Sequence, residues 1–548
     1  MHRRTRTPLL AIAAMLLTVA GGCTFRETNV ERGQRDQVLH RGMGQEVADL
    51  DPHLATQTSD HTVLSALFEG LVAEDPKDLS PVPGVAERWT VSDDQLRYTF
   101  FLRTNARWSN GDPVTSKDFM DSWRRVLTPT LGADNASLMY IVQGAEAFHK
   151  GGLPSFADVG FLAPDAHTLR ITLEHPAPYF LSLLQHWIWW PVHLASVARQ
   201  GSTVERGNRW ARPGTLVGNG PFVLKDWRPG QRIIVEKAPT YWDAETVRLS
   251  AIHFYPIEEL NTEERAFRSG QLHVTESLPA SKIDTYRSTS PTVLRIDPYL
   301  GTYFYRINVN RPFLNVVKVR RALSMAVDRQ AIVDHVLRGG QRATSAYTPH
   351  GTGGYTPPTG YDTDPVAARA LLAEAGYPGG VGAPTIDLLF QTSENHRAIA
   401  EAIQEMWRRE LGLSVRLTNM EGKSALDARR TGDFQILRSS WIGDYADPMS
   451  FLAVWRSDSG NNYTGWSSDT YDQLLHQATR TPASTERLEI LRRAEALMLA
   501  EAPIIPIYAY NHVFLLHPSV RGWHSTLLDH HPYKHVWLES NPSVETRR

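Results

Sequence analysis

Cysteine is almost absent from this chain: Cys23 is the only one in 548 residues. An internal disulfide is thereby excluded, as is a cysteine nucleophile anywhere after residue 23. Net charge is missing as well. The 57 Lys and Arg nearly cancel the 59 Asp and Glu, so no long-range field favours nucleic acid or an anionic membrane surface. After the first 22 residues no apolar run approaches the ~20 residues needed to span a bilayer. Hydrolytic and nucleotide-binding signatures are lacking too: there is no G-x-S-x-G, no H-E-x-x-H and no P-loop. What is present is 42% hydrophobic and 21% charged residues, a composition that excludes disorder in a chain long enough for two or three cores.

The N-terminus, MHRRTRTPLLAIAAMLLTVAGGC, joins three arginines to an apolar run from Leu9 to Ala20 and then to small residues. Residues 1–22 therefore have the form of a secretory signal. Ala20-Gly21-Gly22-Cys23 resembles the bacterial lipobox, which implies a lipid on Cys23 and a membrane attachment through that lipid alone. An incidental cysteine in a secreted protein is the plainer alternative. Residues 23–37 read as anchor and polar tether.

The stretch Phe434 to Trp455, FQILRSSWIGDYADPMSFLAVW, carries the most chemistry. Phe434 to Leu437 predict a largely buried strand that ends at Gly443-Asp444 and Asp447-Pro448, a turn-rich break. Arg438 and Asp444 then flank Trp441 with opposite charges, a grouping suited to a zwitterionic ligand. A surface ion pair beside a core tryptophan is the competing reading.

Elsewhere the chain alternates helix and strand signals. Val63, Leu64, Leu67 and Leu71 share one side of a helix that Ser59 or Asp60 can cap. Thr115 and Asp118 form a capping-box start to a helix with Phe119, Trp123, Val126 and Leu127 at helical spacing. Asp328 can cap another, which Gly339-Gly340 ends, and His396 to Glu410 is amphipathic through Ile399, Ile403, Met406 and Trp407. Ile504 to Tyr508 predict a strand.

Leu67-Phe68-Glu69-Gly70-Leu71, Pro83 to Glu87, Trp108 to Thr115, Asn219 to Phe222, Tyr241-Trp242-Asp243, Val319 to Leu323 and Leu371 to Tyr377 occur in an order that resembles the peptide-type extracytoplasmic solute-binding proteins of ABC importers, closest to the oligopeptide-binding branch. The resemblance covers nearly everything after the tether. It implies an α/β, type II periplasmic-binding fold of cluster C with two hinged lobes, an extra subdomain and discontinuous domains. Lobe I would comprise 38–69, 193–299 and 503–548, the subdomain 70–192, and lobe II 300–502. The implied function is capture of extended peptides of about two to five residues by a monomer without cofactor, followed by delivery to the permease, with no bond made or broken. In the W-x-x-D-Y context, Asp444 would bind the peptide amine, and Arg438 and His396 its carboxylate. Thr56, Thr58, Tyr299, Phe304, Arg306, Gly422, Arg429, Trp441, Ile442, Gly443 and Tyr445 would line the cleft.

Several positions depart from the oligopeptide pattern. Thr56 stands in place of an acid, Gly422 in place of a tryptophan, and Arg306 in place of a glutamate, which suggests a preference for acidic side chains. Gly301 and Ile442 occupy the places of two cysteines that pair in some relatives. Other ligands remain open on the same fold, namely dipeptides, murein peptides, nickel chelates and haem. A tethered hydrolase or folding helper is the reading from another class. His524, His530, His531 and His535 could form a metal site only if they shared a helix, against which Pro532 argues. The run His186 to His193 reads as packed aromatics.

Overall fold

The computed structural model describes residues 27–481 and 484–540. The signal, Cys23 and its neighbours to residue 26 lie outside them. No helix among the described residues is long and apolar enough to cross a membrane.

The chain opens with helix α1 (Asn29–Asp36), where a polar tether was expected. Thr28 and Glu31 close a capping box, the Thr28 Oγ accepting from Glu31 N at 3.1 Å and the Glu31 carboxylate accepting from Thr28 N at 2.8 Å. Val30 is buried and its N–H donates to Gly270 O. Gly33 lies so close to Val38 O and His273 that a Cβ would have no room. Helix α1 is thus packed on the fold, and any tether ends before it.

Strand β1 (Val38–Gly42) leads into α2 (Thr58–Leu67). Gln57 rather than Ser59 or Asp60 is the N-cap, with Asp60 in the third helical position closing the box. An inserted unit follows: strands β2 (Ala86–Val91), β3 (Arg97–Leu102), β4 (Phe161–Asp165) and β5 (Thr168–Thr172) in the antiparallel order β2-β3-β5-β4, covered by α3 (Ser116–Leu127). Thr115 and Asp118 cap α3 as expected, the Asp118 carboxylate accepting from Thr115 N at 2.7 Å. Phe119, Trp123, Val126 and Leu127 face the core of this unit, and Trp189 and Ile188 from the aromatic run complete it. The chain then returns through β6 (Phe222–Arg228), β7 (Arg232–Lys237) and β8 (Ala251–Tyr255), so that β1 pairs in parallel with β8 in the order β1-β8-β7-β6.

Fourteen-residue β9 (Leu294–Ile307) begins the second half. With β10 (Arg342–Ala343), β11 (Ile386–Gln391), β12 (Val415–Met420), β13 (Ile436–Ile442) and β14 (Ile504–Leu515) it builds a six-stranded mixed sheet in the order β10-β14-β9-β13-β11-β12. Alternation along the strands supplies two cores: Tyr303, Tyr305 and Ile307 face one, Phe304 the other. Between β11 and β12 lies α4 (Glu394–Leu411), capped by Ser393 and closed by left-handed Gly412. Helix α5 (Gly422–Thr431) precedes β13, and α6 (Ser484–Glu501) precedes β14. The helix capped by Asp328 ends at left-handed Arg338, one residue before the glycines expected to stop it.

The pairing of β9 with β14 is interrupted once. Pro298 pairs with Asn511 and Thr302 with Ala509, so residues 299–301 face Tyr510 alone. Ile504 to Ala509 pair within the six-stranded sheet, whereas an expected boundary at 502/503 assigned them to the first lobe. Gly301 and Ile442 are direct cross-strand partners. A Cβ on Gly301 would stand 2.4 Å from Ile442 Cδ1, so the isoleucine fills the space of the missing bridge.

Candidate functional site

Strand β13 sets the geometry. Arg438 faces Tyr305, Trp441 faces Thr302 and Ile442 faces Gly301 across the β9 ladder. Strand alternation puts Arg438 on the side of Tyr303 and Tyr305, and Trp441 on the side of Phe304 and Arg306.

Arg438 lies over the Tyr303 ring at 4.5 Å and donates from Nη2 to Tyr510 OH at 2.8 Å. Its Nε–H is buried without an acceptor. Burial works against its charge, but Tyr510, Tyr303 and Tyr508 more than offset that and raise its pKa. His396 sits in the first turn of α4, with Nδ1 3.4 Å from Tyr303 OH. Burial, then the Arg438 charge, push its pKa down to about 3. At neutral pH this end of the site therefore holds one fixed cation and one neutral imidazole. No carboxylate of the described residues is in ion-pair distance of Arg438.

Past Ile442 the chain turns at Gly443, whose N–H donates to Leu300 O at 2.8 Å. A Cβ there would meet Leu300 and Phe451 within 2.8 Å, so only glycine permits the approach. Asp444 N then donates to Ser450 Oγ, and Trp441 Nε1 to Ser450 O, both at 2.8 Å. Among the described residues the Asp444 carboxylate meets no cation, and the one hydrogen bond that acts on it comes from its own backbone N–H. Its side chain keeps accessible surface while Gly443 and Tyr445 on either side are buried. Burial nevertheless pushes its pKa up to about 7. Accessible surface and strong desolvation together mean that the carboxyl faces a recess walled by protein rather than open solvent.

The recess is closed from the inserted unit. Tyr445 stacks on Tyr179, ring centroids 5.0 Å apart at 14°, and packs into the core of residues 71–189. Arg487 lies over the Tyr179 ring at 5.3 Å and forms a bidentate pair with Asp447, both bonds 2.8 Å.

Other expected lining residues divide. Tyr299 stands beside Tyr510 and His512. Thr56 and Thr58 are exposed at the start of α2, Thr56 N donating to Asp60. Ile442 and Arg429 are half-buried, and Gly422 is the first residue of α5. Two expectations fail. Phe304 is wholly buried between Tyr347 and Trp455. Arg306 is 1% exposed, its Nη1 donating to Asn461 O and Asn462 O and its Nε to Ser439 Oγ, so the side chain is packed into the lobe rather than lining a cleft. Tyr179, Tyr303 and Tyr510 were not anticipated, although alternation in Tyr508-Ala509-Tyr510 carries a signal for the last.

The histidines are engaged locally. His530 Nδ1 is 2.7 Å from Glu74, His531 Nε2 is 3.0 Å from Asp529, and Tyr533–His535 form a 3-10 turn. Among the described residues no group of three or more His, Cys, Asp or Glu is placed to hold a metal ion.

Residues 80–463 match the model of the bacterial extracellular solute-binding proteins, family 5. The chain belongs to that family. It is 36% identical over 544 residues to the dipeptide-binding protein DppE of Bacillus subtilis, covering 95% of this chain and 96% of the relative. It is also 36% identical to the periplasmic oligopeptide-binding protein OppA of Salmonella typhimurium, with 95% and 96% covered. Among solved structures it resembles the murein tripeptide binding protein MppA of Escherichia coli, 34% identical, covering 91% and 98%, TM-score 0.82. Against the unliganded open form of MppA, 34% identical with 92% and 97% covered, the TM-score is 0.73. This family 5 protein thus has the type II periplasmic-binding fold. Its family serves solute binding rather than catalysis.

Proposed function

We propose that this family 5 protein captures short peptides in extended form, with the amine on Asp444 and the carboxylate at Arg438 and His396, and delivers them to an ABC permease. The observation that carries this is the unpaired Asp444 carboxylate in its walled recess. A peptide α-ammonium supplies the missing cation through a charge-assisted bond. Arg438 lacks an anion in the same way, and the strand separates the two. From Arg438 to Ile442 is roughly 13 Å at about 3.3 Å per residue, before the turn that carries Asp444. A peptide of a few residues bridges that span. The relatives' names point to peptides as a class: DppE, OppA and MppA.

Residues 38–298 with 510–540 would form one lobe and its inserted unit, and 302–509 the other, joined at the interruption in β9 and β14. Closure over the ligand brings Tyr179 onto Tyr445 and excludes water, which strengthens the Asp444 pairing. Cys23 would carry the lipid that holds the protein at the membrane. The intact mass of the cell-derived protein is expected to show a diacylated N-terminal cysteine, and an unmodified Thr24 or earlier terminus refutes it.

Calorimetry with free and N-acetylated tripeptides tests the amine site. Acetylation is expected to weaken binding by about 30-fold or more, on the order of the 2 kcal/mol or larger cost of unpairing a buried charge. Equal affinities would remove Asp444 from the role.

A further inference from the structure

A recess of about 70 Å³ lies where separate stretches of the chain meet. Helix α2 contributes His61, the turn after it Phe68 and Glu69, the inserted unit Gln185, and the C-terminal segment His530 and Lys534. Neither Asp444, Arg438 nor His396 borders it, so it is separate from the site proposed for peptides.

The charges on its wall are already paired. The Glu69 carboxylate accepts from Tyr241 OH at 2.5 Å and from Trp242 Nε1 at 2.6 Å, and Lys534 Nζ stands 3.4 Å from the Asp243 carboxylate. His530 Nδ1 is 2.7 Å from Glu74, and Gln185 Nε2 donates to Leu79 O at 3.0 Å. His61 is different. It is 8% exposed, yet neither ring nitrogen has a hydrogen-bond partner among the described residues. Its ring is held 4.0 Å from that of His530 and 6.0 Å from that of Trp190. Burial, then the neighbouring His530 and His186, push its pKa well below the usual histidine range. A neutral imidazole offers one donor and one acceptor, and here both are unspent.

The surroundings limit what can use them. An anion would have to draw Lys534 away from Asp243, and a cation would have to draw Glu69 from its donors, each after shedding its own water. Size sets the next limit. A water needs about 10–15 Å³ and a benzene-sized guest about 150 Å³, and this recess falls between them. Water alone is a poor match, since each buried water wants about two to four polar partners. Phe68, Trp190 and Pro532 offer mostly carbon instead.

We propose that this recess is a second ligand site, taking a small neutral molecule with a short hydrocarbon part and one hydroxyl group that is hydrogen-bonded to His61. The hydroxyl meets the imidazole, and the hydrocarbon meets Phe68 and Trp190. Such an occupant touches α2, the inserted unit and the C-terminal segment at once, so it favours the folded arrangement of all three.

Propan-2-ol is the probe, set against isobutyrate and isopropylammonium, which carry the same branched chain with a charge of either sign. The full protein is isotope-labelled in its histidine rings for NMR, and the His61 signal is identified by its absence in His61→Phe or, if that variant does not fold, in His61→Gln. Propan-2-ol is expected to shift the His61 and His530 signals along a saturating curve while the His396 signal stays in place. Each ion is expected to bind at least about tenfold more weakly, because a charged group loses its hydration on entry. In the His61 variant the saturating shift at His530 is expected to disappear. No shift, a shift that grows without saturating, an equal response to the ions, or saturation that survives in the variant would each overturn the site.

Discussion

Asp444→Asn is expected to reduce affinity for free-amine tripeptides by about 30-fold or more, because it leaves the peptide ammonium desolvated without its counter-charge. The same variant should bind free and N-acetylated peptides alike. In the unsubstituted protein, affinity is expected to rise from pH 5 to pH 7, since the ammonium needs an ionised partner and burial pushes the Asp444 pKa up to about 7. That rise should vanish in Asp444→Asn. Stability of the ligand-free protein moves the opposite way. The unfolded chain releases this proton near pH 4, whereas the folded chain keeps it to about 7. The folded state binds more protons across that window, so the Asp444 contribution to stability falls as pH rises through it and then levels. Asp444→Asn should therefore be the more stable protein above pH 7 and match it below pH 4 in urea titrations. Undiminished peptide binding by the variant would refute the amine site outright.

Asp51→Ala is expected to destabilise the protein by about 3–5 kcal/mol, the usual result of stranding one partner of a buried ion pair. Asp51 accepts from Arg125 Nη1 at 3.0 Å and Nη2 at 2.6 Å, and from Trp210 Nε1 at 2.9 Å. Both charged side chains are nearly inaccessible, at 1% and 4%. Arg125 belongs to α3 of the inserted unit and Asp51 to the lead-in before α2, so the pair fastens two cores to each other. Burial alone would raise the Asp51 pKa, but Arg125 reverses that and holds it at about 2. Its contribution is present above pH 4 and is lost as pH falls toward 2. Asp51→Asn, which keeps an acceptor for Trp210, should fall between the two in chemical denaturation. A loss under about 1 kcal/mol in Asp51→Ala would show that the pair is dispensable.

The parts of this molecule written locally could be read before any coordinates. Thr115 and Asp118 cap α3 because a capping box needs only four residues. Asp444 was legible because a strand followed by Gly-Asp in a turn presents the acid wherever the strand lies. Helix α1 escaped notice since its buried face is made of Val30, Gly33 and Gln34, which do not form an apolar stripe. Arg306 was misjudged for a different reason. Its partners are carbonyls 155 and 156 residues away, and no pattern around residue 306 records them. The same holds for Tyr179, which meets Tyr445 only after the inserted unit is docked.

The interruption in the β9 and β14 ladder also constrains how this protein can move. The two strands stay bonded on both sides of residues 299–301, and a one-residue slip would turn every side chain to the wrong face. If the two halves hinge as proposed, their displacement would be torsion about the paired strands, with the stretch opposite Tyr510 as the place where the ladder can yield. Arg438 holds the hydroxyl of that same tyrosine. A ligand carboxylate drawing on Arg438 would therefore load the pivot directly, so that the resting angle between the halves responds to occupancy through a single phenol.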